Sequence, residues 1–149
     1  MNQGLVIVAA GLLAVVAACA PEAGAPPEAI PSFERDIAPV LEARCTASRG
    51  CHGAEPTAEV DLDLRRTRAY WQLVAVPAET GRGALLRVEP GHPATSVLVQ
   101  KLTGRGGPGA GRPMPLDPRT GGPAVPSPLA PAWTEAVLVP WIAAGAPNN

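Results

Sequence analysis

The residues with the most chemistry to offer stand together in Cys45-Thr-Ala-Ser-Arg-Gly-Cys51-His52. Two thiols and an imidazole this close can do one of three things. First, cysteines that add to the vinyl groups of a haem hold it by thioethers, and a histidine directly after the second cysteine ligates the iron. The Cys51-His52 adjacency preserves what that geometry most requires, because a cysteine bonded at the porphyrin edge sets the next side chain over one face. Five residues separate Cys45 from Cys51, where the usual attachment motif has two. The extra residues can bulge outward with both sulfurs on their vinyls, or Ser48 can fill the first position and leave one thioether through Cys51. Second, Cys45 and Cys51 can close a disulfide. Third, Cys45, Cys51, His52 and His92 carry the ligand types that zinc accepts.

An iron held by His52 has a second axial face. Met114 is the only methionine besides the initiator, and it stands between Pro113 and Pro115. Flanking prolines stiffen the backbone and lower the cost of presenting a thioether. A methionine in a loop also serves as an ordinary gap filler. His92 is the competing ligand; beside Pro93 it reads equally as a turn residue. Asp61 and Asp63, alternating with Val60, Leu62 and Leu64, read as a solvated face of a brief extended stretch. No Ser/His/Asp set, phosphate-binding loop or supported carboxylate pair is present, which speaks against a catalyst. The formal net charge of -1 gives no footprint for nucleic acid.

The compartment follows from the N-terminus. Residues 5–18 form an uncharged apolar run, too short to span a bilayer core but suited to a signal peptide. The Val-Ala-Ala-Cys19 that closes it resembles the lipobox of bacterial lipoproteins, although MNQG before the run supplies no Lys or Arg. The resemblance implies cleavage before Cys19, lipidation of its thiol, and a domain tethered to a membrane in the cell envelope, facing the periplasm or the outside. Cys45 and Cys51 then lie in an oxidising compartment, where an idle thiol pair is not expected. The chain accordingly divides into a signal segment (1–18), a lipidated Cys19 with a Pro-rich tether (19–31), and one domain (32–149).

The elements that must position these residues read as short helices. Ser32 is placed to cap a helix with Phe33, Ile37, Val40 and Leu41 on one face, interrupted at Pro39 and running into Cys45. A second helix is expected over 67–75, burying some of Ala69, Tyr70, Leu73 and Val74, and an extended segment over 85–88 turned by Glu89-Pro90-Gly91. Pro93 is expected to open a third helix with Ala94, Val97, Leu98 and Leu102 inward and Gly104 past its end. Of the 28 residues 104–131, 15 are Gly or Pro, so this stretch is expected as a long loop. The last helix begins at Pro131, carries Ala136, Val137, Trp141 and Ile142, bends at Pro140 and ends at Gly145. The fold class expected is mostly α. With only five aromatic residues the core is marginal, and a disulfide, a metal or a large apolar cofactor must contribute to it.

The order of these pieces resembles small monohaem c-type cytochrome domains, in particular those of planctomycete and myxobacterial lipoproteins. The resemblance runs over 32–146. It consists of Phe33…Asp36-Ile37…Pro39-Val40-Leu41, Cys51-His52-Gly53, Val88-Glu-Pro-Gly91 with Pro93…Ser96…Leu98…Lys101-Leu102, Met114-Pro115, and Trp141-Ile142…Gly145-Ala146. It implies a cytochrome c-like domain of short helices, the first and last crossing, around one haem c. It further implies Cys45 and Cys51 as haem attachment points, His52 and Met114 as iron ligands, and electron transfer with a redox partner protein in the envelope. The alternative is a haem-free structural or binding lipoprotein stapled by a Cys45–Cys51 disulfide. The anchor is testable by itself: Cys19→Ser should release the protein from membranes or leave its signal uncleaved, and a processed mutant still bound to membranes would refute lipidation.

Overall fold

The structure, a computed structural model, describes residues 29–46, 51–53, 62–80, 82–117, 119–124 and 131–149. The signal segment, Cys19, most of the tether, and Val60 and Asp61 of the expected extended stretch lie outside them. Among the described residues the fold is mostly α, with isolated β-bridges and no longer strand. No helix among them is long and apolar enough to cross a membrane.

The first helix starts where Ser32 caps it. The Ser32 hydroxyl accepts from the Arg35 amide at 3.3 Å, and the Asp36 carboxylate accepts from the Ser32 amide at 2.7 Å. The Ser32 amide and the Arg35 side chain hold the Asp36 carboxyl below its usual range. The interruption expected at Pro39 takes the form of a π-helical turn, Phe33–Ile37, in which the Ala38 amide donates to the Phe33 carbonyl. Helix α1 (Ala38–Cys45) follows, so Pro39 falls in a first turn, where a missing N–H costs nothing.

The C-terminal helix repeats the device. Helix α4 (Pro131–Trp133) passes into a π-helical turn (Thr134–Leu138), the Val139 amide donates to the Thr134 carbonyl, and α5 (Val139–Ala143) begins one residue before Pro140. Gly145, with φ of +96°, closes the end: the Ala146 amide reaches the Trp141 carbonyl at 3.0 Å and the Gly145 amide the Ile142 carbonyl at 2.9 Å. This is a Schellman cap, which requires a left-handed residue.

Between them lie α2 (Arg66–Leu73) and α3 (Val97–Thr103). Helix α2 buries Ala69 and Leu73 and stops two residues before the expected end. There the Ala75 amide donates to the Val88 carbonyl at 2.9 Å and the Val88 amide to the Leu73 carbonyl at 3.0 Å, which commits Val74 to a bridge with Val88. Helix α3 starts at Val97, four residues later than Pro93 led us to expect. The reason is Ser96, which is fully buried: its hydroxyl accepts from the Glu89 amide at 2.8 Å and donates to the His92 carbonyl at 3.0 Å, holding 93–95 in a turn. Gly104, with φ of +67°, ends α3 as expected. The Gly/Pro-rich stretch after it holds a 3₁₀ turn (Pro108–Ala110) and a Leu116–Pro123 bridge.

The first and last helices pack through Phe33, Ile37 and Leu41 on one side and Leu138, Trp141 and Ile142 on the other, with Leu73 and Val88 completing the core. The Phe33 ring lies 5.4 Å from that of Trp141 and 5.1 Å from that of Tyr70. The chain terminus fastens this pair: the Asn149 carbonyl accepts from the Ser32 hydroxyl at 2.6 Å and the Glu34 amide at 3.0 Å, and its side-chain oxygen from the Phe33 amide at 2.9 Å. Trp141 is fully buried, so Trp141→Ala should cost about 3–5 kcal/mol in urea unfolding. That is a large share of a small domain's stability of about 5–15 kcal/mol. Trp71→Ala, at a side chain 70% exposed, should change it by no more than about 0.5 kcal/mol.

Candidate functional site

Cys45 is the last residue of α1, and Thr46 stops the helix by placing its amide at 3.3 Å and its hydroxyl at 2.6 Å from the Glu42 carbonyl. The chain then returns to the same point. The His52 amide donates to the Cys45 carbonyl at 2.8 Å, and the His52 carbonyl accepts from the Leu64 amide at 2.8 Å. His52 is thus clamped between the end of α1 and the stretch that leads into α2.

Cys45 and Cys51 are half-buried, and no disulfide joins them among the described residues. Burial, and to a lesser degree the neighbouring charge of Cys51, pushes the Cys45 thiol up to about 11. A thiol so shifted stays protonated at neutral pH and is a poor nucleophile there.

The His52 side chain lines a cavity of about 140 Å³ that opens to solvent. Its walls are mainly apolar, from Leu62 before α2, Leu73 at the end of α2, Ala78, and Val97 and Leu98 at the start of α3. The His52 Nδ1 atom is buried and has no hydrogen-bond partner. Burial holds the imidazole below its ordinary pKa, the backbone of Leu62 acts against this, and Lys101 and Arg87 add to the depression. A neutral ring is the form that ligates a metal. Leaving one of its nitrogens buried and unbonded costs about 1–3 kcal/mol.

Of the three residues of the motif only His52 lines the pocket; Cys45 and Cys51 are half-buried and are not among the lining residues, and the one feature here that a haem would use is a neutral imidazole at an apolar wall. The cavity is smaller than the roughly 300–1,000 Å³ that encloses a drug-sized ligand, so a macrocycle would occupy it with part of its surface.

The remaining expected site residues lie elsewhere. The Met114 amide donates to the carbonyl of Lys101, a lining residue, at 3.0 Å, which sets the Pro113-Met114-Pro115 stretch beside α3. Met114 is half-buried, but its side chain is not among those lining the cavity. His92 is exposed, with its Nδ1 3.1 Å from the Pro90 carbonyl and 3.9 Å from Glu89. It is the turn residue its position beside Pro93 foreshadowed, and not a partner of Cys45, Cys51 and His52. Among the described residues no three His, Cys, Asp or Glu side chains converge on a metal site, which leaves the zinc reading without support. Cys19 lies outside the described residues.

Sequence reasoning missed Arg87 and Lys101. The signal for Lys101 was present: it is the one lysine of the chain and lies four residues after Val97, on the same helix face. Arg87 carried no such signal, being one of 11 arginines.

Comparison with family models, curated proteins and solved structures finds no match for the chain.

The shifted thiol makes a pH prediction for the haem-free protein. A folded-state pKa above the unfolded one contributes stability that is complete below the ordinary thiol value and lost as pH rises through about 11. Urea stability should therefore carry a component that declines between about pH 8.5 and pH 11, and Cys45→Ala should remove it. Iodoacetamide labelling of Cys45 should still be accelerating at pH 10; a plateau by pH 9 would contradict the shift.

Proposed function

We propose that the protein is a membrane-anchored c-type cytochrome that binds one haem c and transfers electrons in the cell envelope. The observation that carries this reading is His52, which directly follows Cys51 and whose side chain lines an apolar pocket. The haem, when bound, supplies reversible one-electron chemistry. On this reading Cys51 and Cys45 hold it covalently, His52 ligates its iron, and Leu62, Leu73, Val97 and Leu98 keep water from one of its faces. Met114 would supply the second protein ligand to the iron, and a His/Met pair raises the potential above that of a His/His pair. Cys19 anchors the domain to a bacterial membrane, where a redox partner protein meets it. The role is that of an electron carrier and not of a catalyst.

A cytochrome c-like fold is part of the same proposal. Two of the sequence pieces behind it meet in space: the Gly91 amide of the Val88-Glu-Pro-Gly91 turn donates to the carbonyl of Ile142, in the Trp141-Ile142 end of the last helix, at 2.8 Å. The packing of the first helix on the last through Phe33 and Trp141 also supports it.

Expression with a haem-attachment system should yield one haem per chain that survives denaturation and acid-acetone extraction. Cys51→Ser should abolish the covalent haem, because Cys51 sets the position of His52, while Cys45→Ser should leave one thioether and a red-shifted reduced spectrum. Met114→Ala should open the iron to imidazole and lower the potential, with loss of the near-infrared thioether-to-ferric band. An intact Cys45–Cys51 disulfide in a haem-free mass from competent cells would refute the reading.

A further inference from the structure

We propose that the outer face of α2 around Trp71 lies on the membrane that carries the lipid anchor; this rests on the anchoring at Cys19 proposed above. Trp71 is 70% exposed and Ile30 53%, and they are the exposed large hydrophobic side chains among the described residues. Both stand where the tether enters the domain. Ile30 lies three residues before Phe33, whose ring meets that of Tyr70 at 5.1 Å, and Tyr70 in turn meets Trp71 at 5.1 Å. Phe33, Glu34, Tyr70 and Trp71 line one groove between the start of the first helix and α2. Tyr70 packs against the core, whereas Trp71 does not, so the fold itself makes little use of the indole.

The tether decides which surface the bilayer meets. Twelve residues, 20–31, separate Cys19 from Ser32, and fully extended they reach no more than about 40 Å. A domain of this size is itself about 35 Å across. Bringing its far side to the bilayer would take the whole tether, whereas the side at Ser32 reaches it with length to spare. Tryptophan suits that boundary, since its ring is apolar and its N–H still needs a polar partner, and it is enriched where membranes meet water. Arginines accompany it. Arg66 donates to the Glu34 carbonyl at 3.0 Å and pairs with its carboxylate at 3.5 Å, while Arg68 is exposed and makes no ion pair among the described residues. A guanidinium at this level meets lipid phosphates, which it can bind through two N–H groups. An indole accompanied by cations, at the end of a short lipidated tether, matches a phospholipid headgroup layer. Trp71 and Leu73 stand two residues apart on α2, about 200° around the helix, so the indole points away from the side chain that lines the His52 cavity. Docking through Trp71 thus leaves the cavity side of α2 turned from the bilayer.

The test uses the protein as a lipidating bacterial host processes it, reconstituted in vesicles of phosphatidylcholine and phosphatidylglycerol brominated near the headgroup. Bromine quenches a tryptophan that enters the headgroup layer. Emission should fall by about the share of one tryptophan in three, and Trp71→Phe should abolish the fall while the chain still floats with the vesicles. Arg66→Gln with Arg68→Gln should cut the fall by at least about half, since each arginine near an anionic surface adds to its hold. A protein that floats without quenching, or quenching undiminished in either variant, overturns the inference and leaves the anchor standing. A chain that the host leaves unacylated overturns both. Should Trp71→Phe fail to fold, the wild type decides with aqueous acrylamide: unbrominated vesicles should shield one tryptophan from it, and unchanged access overturns the inference.

Discussion

The two backbone bonds of His52 are the constraint on which the site depends. Its amide is bound to the Cys45 carbonyl and its carbonyl to the Leu64 amide. Together they tie the end of α1 to the entry of α2, and they determine where the imidazole goes. The wide interval between Cys45 and Cys51 is tolerable for this reason. The intervening residues need not specify the position of His52, since the two bonds close the loop from outside it. Closing a slightly longer loop costs little, because the entropy grows only with the logarithm of its length. The segment between the two cysteines can therefore vary in length while His52 stays in register with the pocket.

The helices that carry the clamp obey a second constraint, set by their prolines. Pro39 and Pro140 interrupt helices that must still reach Cys45 and Ala143. In both, a π-helical turn ends one residue before the α segment that contains the proline. The wider turn restarts the hydrogen-bond ladder, so each proline enters at a position where no N–H is called for. Both turns also face one another in the core, through Phe33 and Ile37 on one side and Leu138 on the other. The pair can pack closely because neither helix is sharply broken.

What the sequence made legible divides along physical lines. Local signals served well: the Ser32 cap, the left-handed Gly104 and the Gly145 ending each depend on a few adjacent residues, and each stands where expected. The start of α3 differs from the expectation because Pro93 is a sound first-turn residue by itself, and only the burial of Ser96 against Glu89 and His92 overrides it. No local pattern carries that information. The same holds for the site. Cys45, Cys51 and His52 were visible as a motif, whereas the pocket wall is assembled from Leu62, Leu73, Val97 and Leu98, which meet only in the folded chain. Arg87 joins them from an extended segment whose pairing with Val74 and Val76 could not be inferred from periodicity.

The composition explains why a ligand would matter to the fold as well as to function. Gly and Pro together make up 35 of 149 residues, and among the described residues the large side chains that are fully buried are few. Most of them serve the contact between the first and last helices. On the other side of the domain Leu73 and Val97 are buried by the polypeptide, while Leu62 and Leu98 stay half-buried at the cavity. Each Å² of apolar surface removed from water is worth about 25 cal/mol. An apolar ligand that covers Leu62 and Leu98 would add to stability in proportion to the area it removes from water. The unbonded His52 Nδ1 points the same way: a buried nitrogen without a partner is a cost to the protein alone. The half-buried leucines and the unbonded nitrogen belong to side chains that line one pocket, so both costs fall on the same side of the domain.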